Sequence, residues 1–217
     1  MSIKKVFLSF IFFILLFCTP KTVIANTTIS SWTSSLSLPY SMASGVSFTT
    51  QGKLYVTGGS PTLGASHAEV LETEIQPDGT LTEWLFPTSL DKKLIWHTVA
   101  NNQDYVYVLG GYLDNISGVT GNVNNVYIAI IDADGDINSW NDTTPLPTAI
   151  GLGTSVTVGN RVYYAGGSTN GENSNSARSE IYKADINTAD GTLSSWTSAG
   201  SLPQPMLRKC YRNASVS

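Results

Sequence analysis

Asp190-Gly191-Thr192-Leu193-Ser194-Ser195-Trp196 has two relatives upstream in the same chain, and the three together decide the fold. They are Asp78-Gly79-Thr80-Leu81-Thr82-Glu83-Trp84 and Asp134-Gly135-Asp136-Ile137-Asn138-Ser139-Trp140, the second with Ile in the Leu position. The Asp-Gly pairs fall 56 and 56 residues apart. A further tryptophan, in Ser31-Trp32-Thr33, extends the series and gives spacings of 52, 56 and 56. Gly58-Gly59, Gly110-Gly111 and Gly166-Gly167 keep the same rhythm, at 52 and 56. Three independent markers at one period establish an internal repeat.

Outward from these markers, each repeat reads as four short strands. In the third, residues 153–158 form a small-residue strand, and Gly159-Asn160 makes a two-residue turn. Residues 161–165, Arg-Val-Tyr-Tyr-Ala, form an aromatic-rich second strand that ends at the glycine pair. A polar loop leads to a third strand over 180–186, Asp190-Gly191 turns the chain, and 193–196 is the fourth. The second repeat matches with 105–109, 126–132 and 137–140, and the first with 54–57, 68–76 and 81–84. Alternating β-branched and aromatic residues bounded by Gly, Asn and Asp are hairpin signals.

A four-stranded unit recurring at ~50 residues reads as a propeller blade rather than a helical solenoid turn. Glycine pairs suit a crowded axis, where a Cβ would clash and a positive φ turns the chain out of the strand. The tryptophans are expected to fill the wedge between blades rather than to stack on sugars. In these motifs the chain resembles the kelch family, in the bacterial exported form whose units carry Asp-Gly-x-Leu-x-x-Trp followed by Leu-Pro. The Leu-Pro partners here are Leu38-Pro39, Leu146-Pro147 and Leu202-Pro203. The resemblance covers the chain after its N-terminal segment and implies an architecture like the central domain of galactose oxidase. It implies a binding scaffold more often than an enzyme, because such folds host many functions.

The N-terminal segment belongs to a different class. Lys4 and Lys5 precede a nearly unbroken apolar run of 12 residues over 6–17, and Val23-Ile24-Ala25 offers a cleavage site. This pattern predicts a secretory signal peptide over 1–25, and the run is too short for the ~20 apolar residues that span a bilayer. The product is expected to be secreted, periplasmic or held in the cell envelope, with no membrane span after cleavage. A lipid anchor on Cys18 is disfavoured, because Phe17 stands where that processing needs a small residue. Cys210 is then the only cysteine left, so no intramolecular disulfide is expected. Removing Lys4, Lys5 and Lys21 from the 12 basic residues leaves 9 against 16 acidic ones, a surface that repels nucleic acid.

The expected fold is therefore all-β: a kelch-type β-propeller segment over 26–217, with about three four-stranded blades near 40–84, 94–140 and 150–196. Residues 29–33 are expected as a strand completing the last blade, and 202–217 as an incomplete further blade. Closed propellers need about 4–8 blades. The missing blades are expected in a longer chain that forms a ring of six or seven, or else from a homodimer that closes a ring of six.

Long loops on a rigid scaffold are where binding concentrates. The expected binding residues are Tyr112, Asp114 and Asn115 in the second blade and Asn173, Asn175 and Arg178 in the third, with Trp96 and His97 at the start of an inner strand. The ligand is expected to be a glycan or a protein. Asp132-Ala133-Asp134-Gly135-Asp136 alternates carboxylates like a calcium loop, but Ile137 and Thr143 stand where an EF-hand needs Gly and Glu, so a turn is expected. No catalytic residue, metal site or cofactor is expected. Two alternatives accompany the binding module. One is a sugar-modifying enzyme of the mutarotase or epimerase kind, with a copper oxidase less favoured because only His67 and His97 are available as imidazole ligands. The other is a structural repeat array of a surface protein.

Overall fold

The computed structural model of the chain describes residues 33–62, 64–116 and 119–208. Contacts divide the chain into Met1–Thr33 and Ser34–Ser217, and every element below belongs to the second. The expected signal peptide, the strand expected over 29–33 apart from Thr33, and Cys210 lie outside the described residues.

The described residues are all-β, with four antiparallel sheets and no closed barrel among them. The first repeat supplies β1 (Val46–Thr50), β2 (Lys53–Thr57), β3 (Glu69–Glu74) and β4 (Leu85–Ser89), hydrogen-bonded in chain order. The second supplies β6 (Thr98–Asn101), β7 (Tyr105–Leu109), β10 (Val126–Ile130) and β11 (Asn141–Asp142). The third supplies β12 (Thr154–Val158), β13 (Arg161–Ala165), β14 (Arg178–Asp185) and β15 (Thr197–Met206). A small sheet of β5 (Leu94–Ile95), β8 (Tyr112–Ile116) and β9 (Val119–Asn122) grows from the second repeat.

Inner and second strands sit where the alternating pattern puts them. The outer strands do not. Leu81, Ile137 and Leu193, expected within fourth strands, each make only a single bridge, to Ile75, Ile131 and Ile186. The ladder resumes after the tryptophan, as β4, β11 and β15. Two of the three tryptophans are anchored at this point: Trp84 Nε1 donates to Ser37 O at 2.9 Å and Trp196 Nε1 to Thr144 O at 3.0 Å, whereas the buried Trp140 Nε1 has no partner. Leu202 to Met206, expected to open a further blade, run within β15 as the edge of the third sheet.

The sheets pack face to face through one recurring joint. Phe48, Tyr55 and Val70 of the first sheet bury against Val106, Ala129, Ile131 and Ile137 of the second. Tyr107, Leu109, Val126 and Ile128 of the second bury against Val162, Tyr164, Ala184 and Leu193 of the third. At the centre of each joint a tyrosine hydroxyl donates to the glycine carbonyl of the next Asp-Gly turn: Tyr55 to Gly135 and Tyr107 to Gly191, both at 2.7 Å. The inner strands β1, β6 and β12 stand side by side, linked by Asn101 Nδ2 donating to Thr49 O at 3.0 Å and by a Thr98–Ser155 hydroxyl pair at 3.0 Å.

The first two glycine pairs bind their sheets to the segment that opens the next repeat, and the third binds the end of β15. Gly59, Gly111 and Gly167 donate their N–H groups to Leu94, Ile150 and Met206 carbonyls at 2.9, 2.9 and 2.8 Å. Gly110 shows why no side chain is tolerated: its φ is 59° and a Cβ there would lie 2.3 Å from Ile150 O.

Candidate functional site

The long connections between second and third strands gather at one end of the inner strands, and the tight inner hairpins at the other. In the second repeat the long connection is not irregular. Tyr112, Asp114 and Asn115, expected in a loop, lie in β8 of the small sheet. The Tyr112 ring stands 5.0 Å from the Trp96 ring at 54°, and both side chains are partly exposed.

The third repeat closes against this pair. Asn122 Nδ2 donates to Ser168 O at 2.7 Å, and its Oδ1 accepts from Gly171 N at 3.0 Å. Gly171 is so near the indole that a Cβ would lie 3.4 Å from Trp96 Cζ3. On the same connection, Asn173 caps the 3-10 turn Ser174–Ser176 by accepting from Asn175 N at 3.0 Å, and both asparagines are exposed. Arg178 opens β14 and pairs with Glu180 at 2.6 Å. A hydrogen bond from its own backbone N–H, helped by Arg178, holds the Glu180 carboxyl below the usual range. His67 and Glu69 repeat this arrangement at the start of β3, paired at 3.3 Å, with Tyr40 stacked on the imidazole at 4.0 Å. Glu69 is likewise held low, chiefly by its own backbone N–H.

His97, expected among the ligand-facing residues, is instead fully buried. Its ring lies against Gly58, where a Cβ would be 2.5 Å from Cε1, and neither ring nitrogen has an aligned hydrogen-bond partner. Burial, and next the charge of Arg208, push its pKa down to about 3, so the imidazole is neutral at pH 7. The corresponding positions in the other repeats are Gly45 and Gly153. Beside Gly153 the space is taken by Tyr164, whose hydroxyl would lie 2.4 Å from an added Cβ. His97 is thus a core filler chosen by local room.

Trp96 has a φ of 58°, and Ser44 and Leu152 share the conformation at 62° and 59°. The left-handed backbone therefore belongs to the repeat, where it lets Trp96 O accept from Leu152 N at 2.8 Å. What is particular to Trp96 is its indole. Asn122, Gly171 and Glu180 were not expected from the sequence, because the long connections differ in length and carry no periodic marker.

The opposite end holds a concavity of about 970 Å³ lined by Thr50, Gln51, Asn102, Asp104, Thr157 and Asn160 among others. Its residues read in sequence only as turn formers. Much of their capacity is spent on the scaffold: Gln51 Nε2 donates to Asp132 O at 3.1 Å, and Asn102 Oδ1 accepts from Asp104 N and Tyr105 N at 2.9 and 2.8 Å. The 132–136 segment is a turn, as expected, with Asp132 Oδ1 accepting from Asp134 N and Asp136 N at 3.0 and 2.8 Å. Among the described residues no three His, Cys, Asp or Glu side chains converge as metal ligands, and no helix is long and apolar enough to cross a membrane.

No family model and no curated protein matches this chain. Among solved structures, one titled "Structure of YjhT" superposes with a TM-score of 0.59 at 16% identity, over 78% of this chain and 54% of that one. The chain thus spans about half the length of that protein. At this identity the likeness shows a shared fold.

Proposed function

We propose that this chain is an exported β-propeller segment of kelch type that binds a glycan on its long-connection face. The observation that carries the reading is the Trp96–Tyr112 pair of the second repeat, partly exposed, 5.0 Å apart and flanked by Gly171 of the third. A tilted aromatic pair presents an apolar surface to the C–H face of a sugar, while neighbouring amides and ion pairs suit its hydroxyls. Asn173, Asn175 and the Arg178–Glu180 pair share the third-repeat connection that packs on Trp96. The kelch assignment is supported by the Gly-Gly and Asp-Gly-x-Leu-x-x-Trp periodicity together with three meander sheets whose inner strands adjoin. Export is supported by the basic, apolar and small-residue pattern of residues 1–25.

A glycan array probed with the exported chain tests the reading. Binding to one sugar class, weakened about tenfold by Trp96→Ala, is the expected result. An array without binding, or binding that Trp96→Ala leaves unchanged, contradicts it.

A sugar-modifying activity is the second reading, and the Arg178–Glu180 pair favours it by placing a carboxylate beside a guanidinium. Because Glu180 is held ionised, it suits the role of base rather than acid. Loss of catalysed anomer exchange in Glu180→Gln, with sugar binding retained, would make this the better account.

A further inference from the structure

Asn170-Gly171 is the one Asn-Gly pair in the sequence. Asparagine is thermolabile, and least durable before glycine. The main-chain nitrogen that follows it attacks the side-chain carbonyl carbon, and a glycine, lacking Cβ, shields that nitrogen least. The pair lies on the third-repeat connection, with Asn170 exposed and Gly171 at a φ of 51° against the Trp96 indole.

The two reacting groups are held very differently. The main chain of Asn170 is fixed, its N–H donating to Ser168 Oγ at 3.2 Å and its carbonyl accepting from Asn173 N at 3.1 Å. Its side-chain amide bonds to no described residue. The nucleophile, in contrast, is restrained: Gly171 N–H donates to Asn122 Oδ1 at 3.0 Å, and Asn122 Nδ2 donates to Ser168 O at 2.7 Å. One side chain from the second repeat thus clasps the connection on both sides of Asn170. An N–H committed to an acceptor is harder to deprotonate, and its nitrogen must break that bond to swing onto the neighbouring carbon.

We propose that Asn170 is a site of spontaneous deamidation whose rate Asn122 governs, and that conversion there takes down the wall the third repeat sets against Trp96. Hydroxide takes the Gly171 N–H proton, the nitrogen bonds to Asn170 Cγ, and the Cγ–Nδ2 bond breaks with release of ammonia. Water then opens the succinimide ring, so the net change is uptake of water and loss of ammonia. Opening at the side-chain carbonyl leaves an ordinary carboxylate side chain. Opening at the main-chain carbonyl leaves isoaspartate, whose main chain runs through Cβ and Cγ. That added main-chain carbon carries Gly171 off Asn122 Oδ1 and off the indole, and the new charge joins the exposed Glu172. The chemistry is independent of what the face binds, whereas a consequence for sugar binding rests on the glycan reading.

The test incubates the exported chain at mildly alkaline pH, folded and in urea, and follows each asparagine by peptide mass mapping and ammonia release. In the folded parent Asn170 should convert ahead of the other described asparagines, yet more slowly than in urea. Asn122→Ala should speed the folded chain about fivefold, the equivalent of one hydrogen bond of about 1 kcal/mol. Amide exchange at Gly171 reads the clasp without any substitution: it should be slow in the fresh parent and quicken once Asn170 has become isoaspartate. No conversion at Asn170 in the folded parent, equal rates folded and in urea, or a rate that Asn122→Ala leaves unchanged overturns the proposal. Gly171 protection that survives conversion overturns its second half. Where the fresh chain binds a sugar, the aged parent should lose that binding. Asn170→Gln, whose longer side chain closes a ring far more slowly, should keep it through the same incubation. A fresh chain that binds no sugar counts against the glycan reading and leaves the measured rates to decide this one.

Discussion

Acidification from pH 7 to pH 5 should act on this fold mainly through one side chain. His97 is fully buried, and its pKa is depressed to about 3 by burial and then by Arg208. In the unfolded chain the same imidazole titrates near 6.5. A folded-state value below the unfolded one means that the unfolded chain takes up the proton first. Stability is therefore full above the unfolded value and falls as the pH drops from about 6.5 towards 3. Each pH unit below 6.5 costs about 1.4 kcal/mol, so pH 5 should remove about 2 kcal/mol relative to pH 7. The assay is urea unfolding of the parent and of His97→Gln across this range, which lies above the carboxylate titrations. His67 is common to both proteins, so the difference between their slopes isolates His97. The variant should start less stable yet lose less on acidification, by about 2 kcal/mol. Equal slopes in the two proteins would refute the placement of His97 in the core.

Other perturbations probe the repeat. Tyr107→Phe removes the 2.7 Å bond to Gly191 O and should cost about 1–2 kcal/mol in urea unfolding, whereas Tyr163→Phe should leave the stability of a single chain nearly unchanged. Similar losses in both would argue against the joint. Gly110→Ala must accommodate a Cβ 2.3 Å from Ile150 O at positive φ, and should cost about 3 kcal/mol or more by thermal or urea unfolding. Gly79→Ala meets only the backbone strain and should cost about 1 kcal/mol. A reversal of that order would show that the close approach at Gly110 is wrong.

Much of the fold was legible because its markers repeat. The glycine pairs, the Asp-Gly turns and strands such as Tyr105–Leu109 fall where the 52- and 56-residue spacings put them. The outer strands were misplaced because the tryptophan was read as the end of a strand. In the molecule the strand starts after it, at Leu85, Asn141 and Thr197. The site was less legible for a related reason. His97 is an imidazole standing in a glycine position, and burial decides its role more than chemistry does. The irregular loop expected at Tyr112 is a strand, because β5 and β9 give it partners that no periodic marker announces. Trp96 stands just before β6, with its ring 5.0 Å from that of Tyr112.

Hydrogen–deuterium exchange of the exported chain, with and without an array-selected glycan, tests the central claim most directly. Protection confined to 94–96, 112–122 and 168–178 is the predicted result, since these segments carry or flank Trp96, Tyr112 and Arg178. Protection at 101–104 and 157–160 instead would move the site to the concavity at the tight-turn end and contradict the account.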